Sequence, residues 1–276
     1  MNLLDTEFLR EFVRACDDGW HLGWHESHGG NMSYRLTDEE RAAVFSELDF
    51  SRPWIPMGIC APELAGDILL MTGSGKCFRD IRFKPEVCLG LLEIGANGTA
   101  CRPDWGFDRN RGHPASGTSA HVMNLAVKKR VTDSLHRVIY HVQPANIISL
   151  SFVLPLPDEV FTRELWEMEP ERAMTFPSGL GVIPWMVPGQ KEIAERSGML
   201  MERYDVILWA QHGLFCSAET ASDALGLMNT VEKAAEMLVK CLSMSPIKQQ
   251  AASVQNFRDM ADAFHLNLPE RFLYEK

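Results

Sequence analysis

Basic residues are in short supply: 27 lysines and arginines stand against 37 aspartates and glutamates, a formal net charge of −10 over 276 residues. That deficit argues against a surface built for nucleic acid or an anionic membrane, since both recruit basic faces. A small anionic ligand is not excluded, because a local site can oppose the global charge. Disulfide and zinc-finger spacing is missing too. The seven cysteines are an odd number and contain no Cys-x-x-Cys pair, which reads as reduced intracellular thiols. The start, Met1-Asn2-Leu3-Leu4-Asp5-Thr6-Glu7, lacks the basic-then-apolar order of a signal peptide. No apolar run is long enough to span a bilayer. Linkers, repeats and low-complexity tracts are also lacking. The expectation is a soluble, cytoplasmic protein with a single domain over residues 1–276.

What is present alternates between strand and helix periods. Leu4, Phe8, Phe12 and Cys16 mark an amphipathic first helix, and Asn31 to Leu36 reads as an alternating strand. Arg52 to Glu63 is proline-rich and reads as a surface loop. Strands are predicted at 67–71 and 89–94, with a hairpin turn at Asn97-Gly98, and a helix at 116–130. After a histidine-bearing strand, helices are predicted at 144–154 and 158–168, a strand at 182–187, a helix at 194–204 and a strand at 206–210. The clearest helix runs from Thr220 to Ser243, with Ala224, Met228, Val231, Ala235, Leu238 and Leu242 along one stripe, and a last one covers about 252–264. The interleaving predicts an α/β fold.

The chemistry-bearing residues gather in a few places. In the run Arg137 to Gln143, Ile139, His141 and Gln143 share one face, so His141 and Gln143 sit about 7 Å apart. That reach suits a common metal ion, although an amide oxygen suits zinc less well than imidazole. His212 follows the apolar run 206–210 and can deliver a further ligand. Taken alone, each histidine is more often a hydrogen-bonded structural residue. Thr72-Gly73-Ser74-Gly75-Lys76 is not a Walker loop, because Leu70 stands where a glycine is needed and Cys77 where serine or threonine is needed. It is a strand-end turn whose N–H groups and Ser74 hydroxyl can hold an anion, or an ordinary glycine turn. His28-Gly29-Gly30-Asn31 has the same character. The glutamates at 164, 167, 169 and 171 read mostly as solvated surface.

Gly-Gly-Asn near residue 30, Thr-Gly-Ser-Gly-Lys near 75, Pro-x-Ser near 115, a strand histidine at 141 and His-Gly at 212 stand in the order of a known pattern. With Phe161-Thr162-Arg163-Glu164-Leu165-Trp166-Glu167 and Ile183-Pro184-Trp185-Met186-Val187-Pro188-Gly189, they make the chain resemble the class II aldolase/adducin family over nearly its whole length. Within that family the resemblance is to the branch that splits L-rhamnulose 1-phosphate into dihydroxyacetone phosphate and L-lactaldehyde.

The resemblance implies a three-layer α/β/α fold with a central, largely antiparallel sheet, assembled as a homotetramer. It implies one Zn2+ per subunit, held by three histidines, acting as a Lewis acid on the substrate oxygens. His141 and His212 match two of these, and Gln143 stands at the third. It implies a phosphate grip matched by Gly29, Gly30, Asn31, Ser74, Gly75 and Ser116. It also implies two carboxylates: Glu171 matches the one expected to reach a neighbouring subunit's site, while Gly117 occupies the position of the proton-moving glutamate. His28 and Ala115 replace an asparagine and a threonine of the pattern. Because positions 28, 115, 117 and 143 all belong to the chemical elements, the resemblance implies a zinc-dependent lyase whose site is impaired or redirected. A replacement role for His28 or His113 and a non-catalytic adducin-like scaffold are the alternatives.

Overall fold

Val138 to Val142 is a run of β-branched and aromatic residues buried on both faces, and around it the chain builds one nine-stranded sheet. The computed structural model describes residues 2–107, 113–114 and 117–275. In chain order the strands are β1 (Asn31–Arg35), β2 (Ile55–Pro56), β3 (Ile68–Thr72), β4 (Leu89–Ile94), β5 (Ala100–Gly106), β6 (Val138–Val142), β7 (Leu180–Ile183), β8 (Val206–Trp209) and β9 (Gly213–Ala218). Their order across the sheet is β2-β5-β4-β3-β1-β6-β9-β8-β7. Every neighbouring pair is antiparallel except β7 with β8. The largely antiparallel sheet expected from the sequence is therefore the one observed.

Alternation along the strands divides the core in two. Val138, Tyr140 and Val142 of β6, with Ile68 and Leu70 of β3, face a core shared with the helices Glu7–His21, Asp158–Trp166 and Ala221–Met244. Ile139, Leu69 and Met71 face the opposite core, filled by Ala120, Val122 and Leu125 of the helix Thr118–Val131 and by Ile193 and Met201 of the helix Lys191–Met201. Helices on both faces of one sheet make the α/β/α layering. The stripe expected on the long helix is buried from Ala224 to Leu238, and Thr220 caps its start by accepting from the Asp223 N–H. Among the described residues, no helix is long and apolar enough to cross a membrane.

Some boundaries differ from the sequence reading. The strand expected at 182–187 is Leu180–Ile183, because Pro184 supplies no ladder N–H. The helix expected at 144–154 ends at Leu150 and unwinds through turns before Pro155. Within the proline-rich stretch, Ile55–Pro56 adds a short edge strand to β5. Glu167 is buried rather than solvated, paired with Arg163 at 2.9 Å and Lys248 at 2.5 Å.

Candidate active site

In β6 the parity inferred from sequence holds, and register does the rest. His141 lies opposite Asn31 of β1 on one side and Phe215 of β9 on the other. Its imidazole lies flat on the Phe215 ring (centroids 4.1 Å apart, 6° between planes) and beside His212 at 5.2 Å. His212 arrives on the tight turn joining β8 to β9. That turn places Gln211 at a positive φ of 61° and donates its Gln211 N–H to the Ser151 hydroxyl at 2.8 Å. Gly213 is required here: a Cβ would stand 2.6 Å from the Val142 carbonyl oxygen and 2.7 Å from His141 Nε2. The structure thus brings His141 and His212 together, as the sequence reading requires.

Both His141 ring nitrogens are buried without a hydrogen-bond partner, as is Nε1 of Trp209, whose ring lies 6.0 Å away. Buried polar atoms are rarely left unmade, since each costs about 1–3 kcal/mol. Burial, reinforced by the neighbouring imidazoles of His212, His121 and His25, holds His141 well below the usual histidine range; burial also lowers His212. Both rings are therefore neutral with lone pairs to offer, which is the form that binds a metal. These donors fit a divalent ion. Among the described residues, no group of three or more His, Cys, Asp or Glu side chains could hold one. Gln143 follows β6, donates its N–H to the Trp24 carbonyl, and packs its amide oxygen over Gly29.

The expected phosphate grip lies at the same sheet end. Asn31 opens β1, and the antiparallel pairing of Ser33 with Met71 sets the end of β3 beside it, so the Gly73–Gly75 turn follows directly. Gly75 has φ 65° and Gly30 φ 78°, conformations that glycine adopts without strain. Ser74 is exposed and donates its N–H to the His113 carbonyl, while Gly73 bridges to Pro114. Ser116 and Ala115 lie outside the described residues. Gly117 packs against Asn31: a Cβ on it would stand 2.9 Å from Asn31 Nδ2.

Two histidines passed over in the sequence organise this end. His25 accepts from the Tyr140 hydroxyl at Nε2 (2.7 Å) and donates from Nδ1 to the Gly29 carbonyl (3.0 Å), stacked on Phe78. His121 donates from Nε2 to Asn31 Oδ1 and accepts from the Ser33 hydroxyl at 2.7 Å. Burial pushes His25 down to about 4 and His121 down to about 3. Their signal in the sequence was weak, because neither stands in a strand or beside a glycine.

Of the remaining expected residues, His28 and His113 border the glycine turns and Glu171 lies apart from them. His28 turns its ring to Cys77, and His113 is exposed. Glu171 is exposed just before the short helix Arg172–Thr175. Thr175 lines a hollow with His136, which precedes β6, so this helix sits toward the strand end opposite Gln143.

Residues 10–239 match the family described as Class II Aldolase and Adducin N-terminal domain. A rhamnulose-1-phosphate aldolase of Yersinia pestis is 39% identical over 253 residues, covering 92% of each chain. Its counterpart in Yersinia pseudotuberculosis matches to the same extent. Among solved structures, a sugar-phosphate aldolase from Thermotoga maritima superposes with a TM-score of 0.74 at 23% identity, over 88% of this chain and 98% of that one. The L-fuculose-1-phosphate aldolase from Thermus thermophilus gives 0.58 at 19% identity, over 88% and 98%. The family match over residues 10–239 and the 39% identity over 92% of the chain are joined by the shared fold: this chain belongs to the class II aldolase and adducin family.

Proposed function

We propose that the protein is a metal-dependent aldehyde-lyase that cleaves L-rhamnulose 1-phosphate to dihydroxyacetone phosphate and L-lactaldehyde, with its site slowed or redirected by Gly117 and Gln143. The observation that carries the reading is the buried His141 ring, unpartnered at both nitrogens and set against His212. The named relatives at 39% identity supply the substrate class. The reading places one domain over residues 1–276 in a cytoplasmic homotetramer with one zinc per subunit.

His141 and His212 would hold the ion, with Gln143 as a weak third donor. When bound, it would act as a Lewis acid toward the oxygens flanking the bond that breaks. The N–H groups of Gly30 and Gly75, with Asn31, Ser74 and Ser116, hold the phosphate, while Gly29, whose N–H is spent on the Glu26 carbonyl, lets the turn approach it closely. Backbone amides and hydroxyls favour an anion without a lysine. Cleavage also needs a proton to leave the hydroxyl at the breaking bond and another to reach the carbon left behind. Gly117 has no side chain to move either. Glu171 of a neighbouring subunit supplies one carboxylate for two positions, which limits the rate.

The test is a four-variant cycle of retro-aldol rates at saturating zinc: the native chain, Gly117→Glu, Gln143→His and the double variant. The double variant is expected to gain more in kcat/KM than either single one, since base and metal ligand act on one transition state. The new Cβ at position 117 shifts the Asn31 amide that His121 fixes, a cost that the single and the double variant share. Full activity in the native chain, at the level of the double variant, would contradict the reading.

A further inference from the structure

The Cys77 sulfur and His28 Nδ1 meet across 3.4 Å. They come from the two turns just described: His28 immediately precedes Gly29-Gly30, and Cys77 follows Gly75-Lys76. Both border a hollow of about 290 Å³ that also has Trp20, Ser27 and Arg79 in its wall. Cys77 is partly exposed and His28 is exposed, whereas Cys16, Cys88, Cys101 and Cys216 are buried. Cys60 is more exposed than Cys77, but its sulfur is directed at the Asn97 carbonyl oxygen at 3.7 Å. An accessible thiol, a base in contact with it and a cavity beside them are the parts a nucleophilic cysteine needs. The fold uses neither side chain for core packing, and the lyase reading gives neither a role.

We propose that Cys77 and His28 form a thiol-modification site that takes low-molecular-weight disulfides. The Cys77 thiol passes its proton to His28 Nδ1, and the sulfur attacks one sulfur of the incoming disulfide. A new S–S bond forms to Cys77 as the old one breaks. The departing half leaves as a thiolate and takes the proton back from His28 as a thiol. One disulfide is exchanged for another: Cys77 is oxidised and the released half is reduced. Trp20 offers the adduct an apolar wall, and the Arg79 guanidinium, largely exposed and only loosely paired with Asp80 at 3.8 Å, a cationic edge for a carboxylate-bearing half. The adduct then occupies the space between the two glycine turns. The site does not depend on the lyase reading, and its test does not measure aldol cleavage.

The experiment treats the full-length protein with oxidised glutathione at pH 7 and pH 9. Samples are quenched in acid and the adduct on each cysteine-containing peptide is followed by mass spectrometry. The native chain, His28→Asn and Cys77→Ser are compared, with Cys60 in each serving as the internal reference. The expected result is that Cys77 is modified ahead of the more exposed Cys60. His28→Asn should slow Cys77 by about three- to tenfold at pH 7, and by less at pH 9, where an unassisted thiol is already largely ionised. The Cys60 rate should stay unchanged in all three proteins, and Cys77→Ser should abolish the leading adduct. Modification of Cys60 before Cys77, or an unchanged Cys77 rate in His28→Asn at pH 7, would overturn the proposal.

Discussion

His25 and His121 sit where burial makes a positive charge costly, and each already spends both ring nitrogens as one donor and one acceptor. Protonating either would break an accepted bond, from Tyr140 to His25 or from Ser33 to His121. Their native values, about 4 and about 3, lie below the 6.5 of an unperturbed histidine. A depressed value means the unfolded chain binds more protons than the native one. The stability is therefore fully present above pH 6.5 and lost as pH falls from there, toward 4 for His25 and toward 3 for His121. Each histidine contributes a slope of up to about 1.4 kcal/mol per pH unit in that window. Urea denaturation midpoints are expected to be level above pH 7 and to drop between 6.5 and 5, before most carboxylates titrate. A midpoint unchanged from pH 7 to 5 would show that these two rings are not held neutral by the fold.

Glu232 shows how one element fixes another. From the long helix Ala221–Met244 its carboxylate accepts from the N–H groups of Asn146 and Ile147 and from the Asn146 side-chain amide, at 2.9, 3.0 and 2.7 Å. Those N–H groups open the helix Ala145–Leu150, whose own capping position is Pro144, directly after Gln143. Glu232→Gln would set an amide NH2 against donors that need acceptors, and is expected to cost about 1–3 kcal/mol in chemical denaturation. A change below a few tenths would mean the carboxylate does not anchor this helix. Pairs of this kind, 85 or 86 positions apart, carry no local signal. What was legible was the local pattern: the period-2 run at 138–142, the stripe on the long helix, and the turn glycines. β5 escaped because Pro103 and Gly106 break its strand character, and its pairing with β4 shifts register between Leu91 and Leu92. β9 escaped because Gly213 to Ala218 is buried on both faces and shows no alternation. Without β9, the Phe215 ring on which His141 lies could not be anticipated. The His141–His212 pairing was legible from strand parity and motif order; the His25 and His121 bonds, formed across strands, were not.

At the scale of the whole molecule, the exposed Glu171 and the paired imidazoles belong to different regions of one chain, so the lyase reading needs a neighbour. A homotetramer is expected by light scattering. Mixing inactive Glu171→Gln subunits with inactive His212→Ala subunits should restore part of the retro-aldol activity, because some mixed interfaces join an intact carboxylate to an intact imidazole pair. No recovery from verified mixed oligomers would place Glu171 outside the chemistry. The net charge of −10 does not oppose a cation site, and on the lyase reading the neutral donors would leave a bound ion's charge available to the substrate oxygens. The central claim is that His141 and His212 hold a divalent ion that Gln143 grips weakly. Calorimetric zinc titration of the native chain, Gln143→His and His212→Ala tests it most directly. The account expects one zinc per subunit in the native chain, binding at least about tenfold tighter in Gln143→His, where a third imidazole is restored, and no binding in His212→Ala. Equal zinc affinity in all three proteins would contradict it.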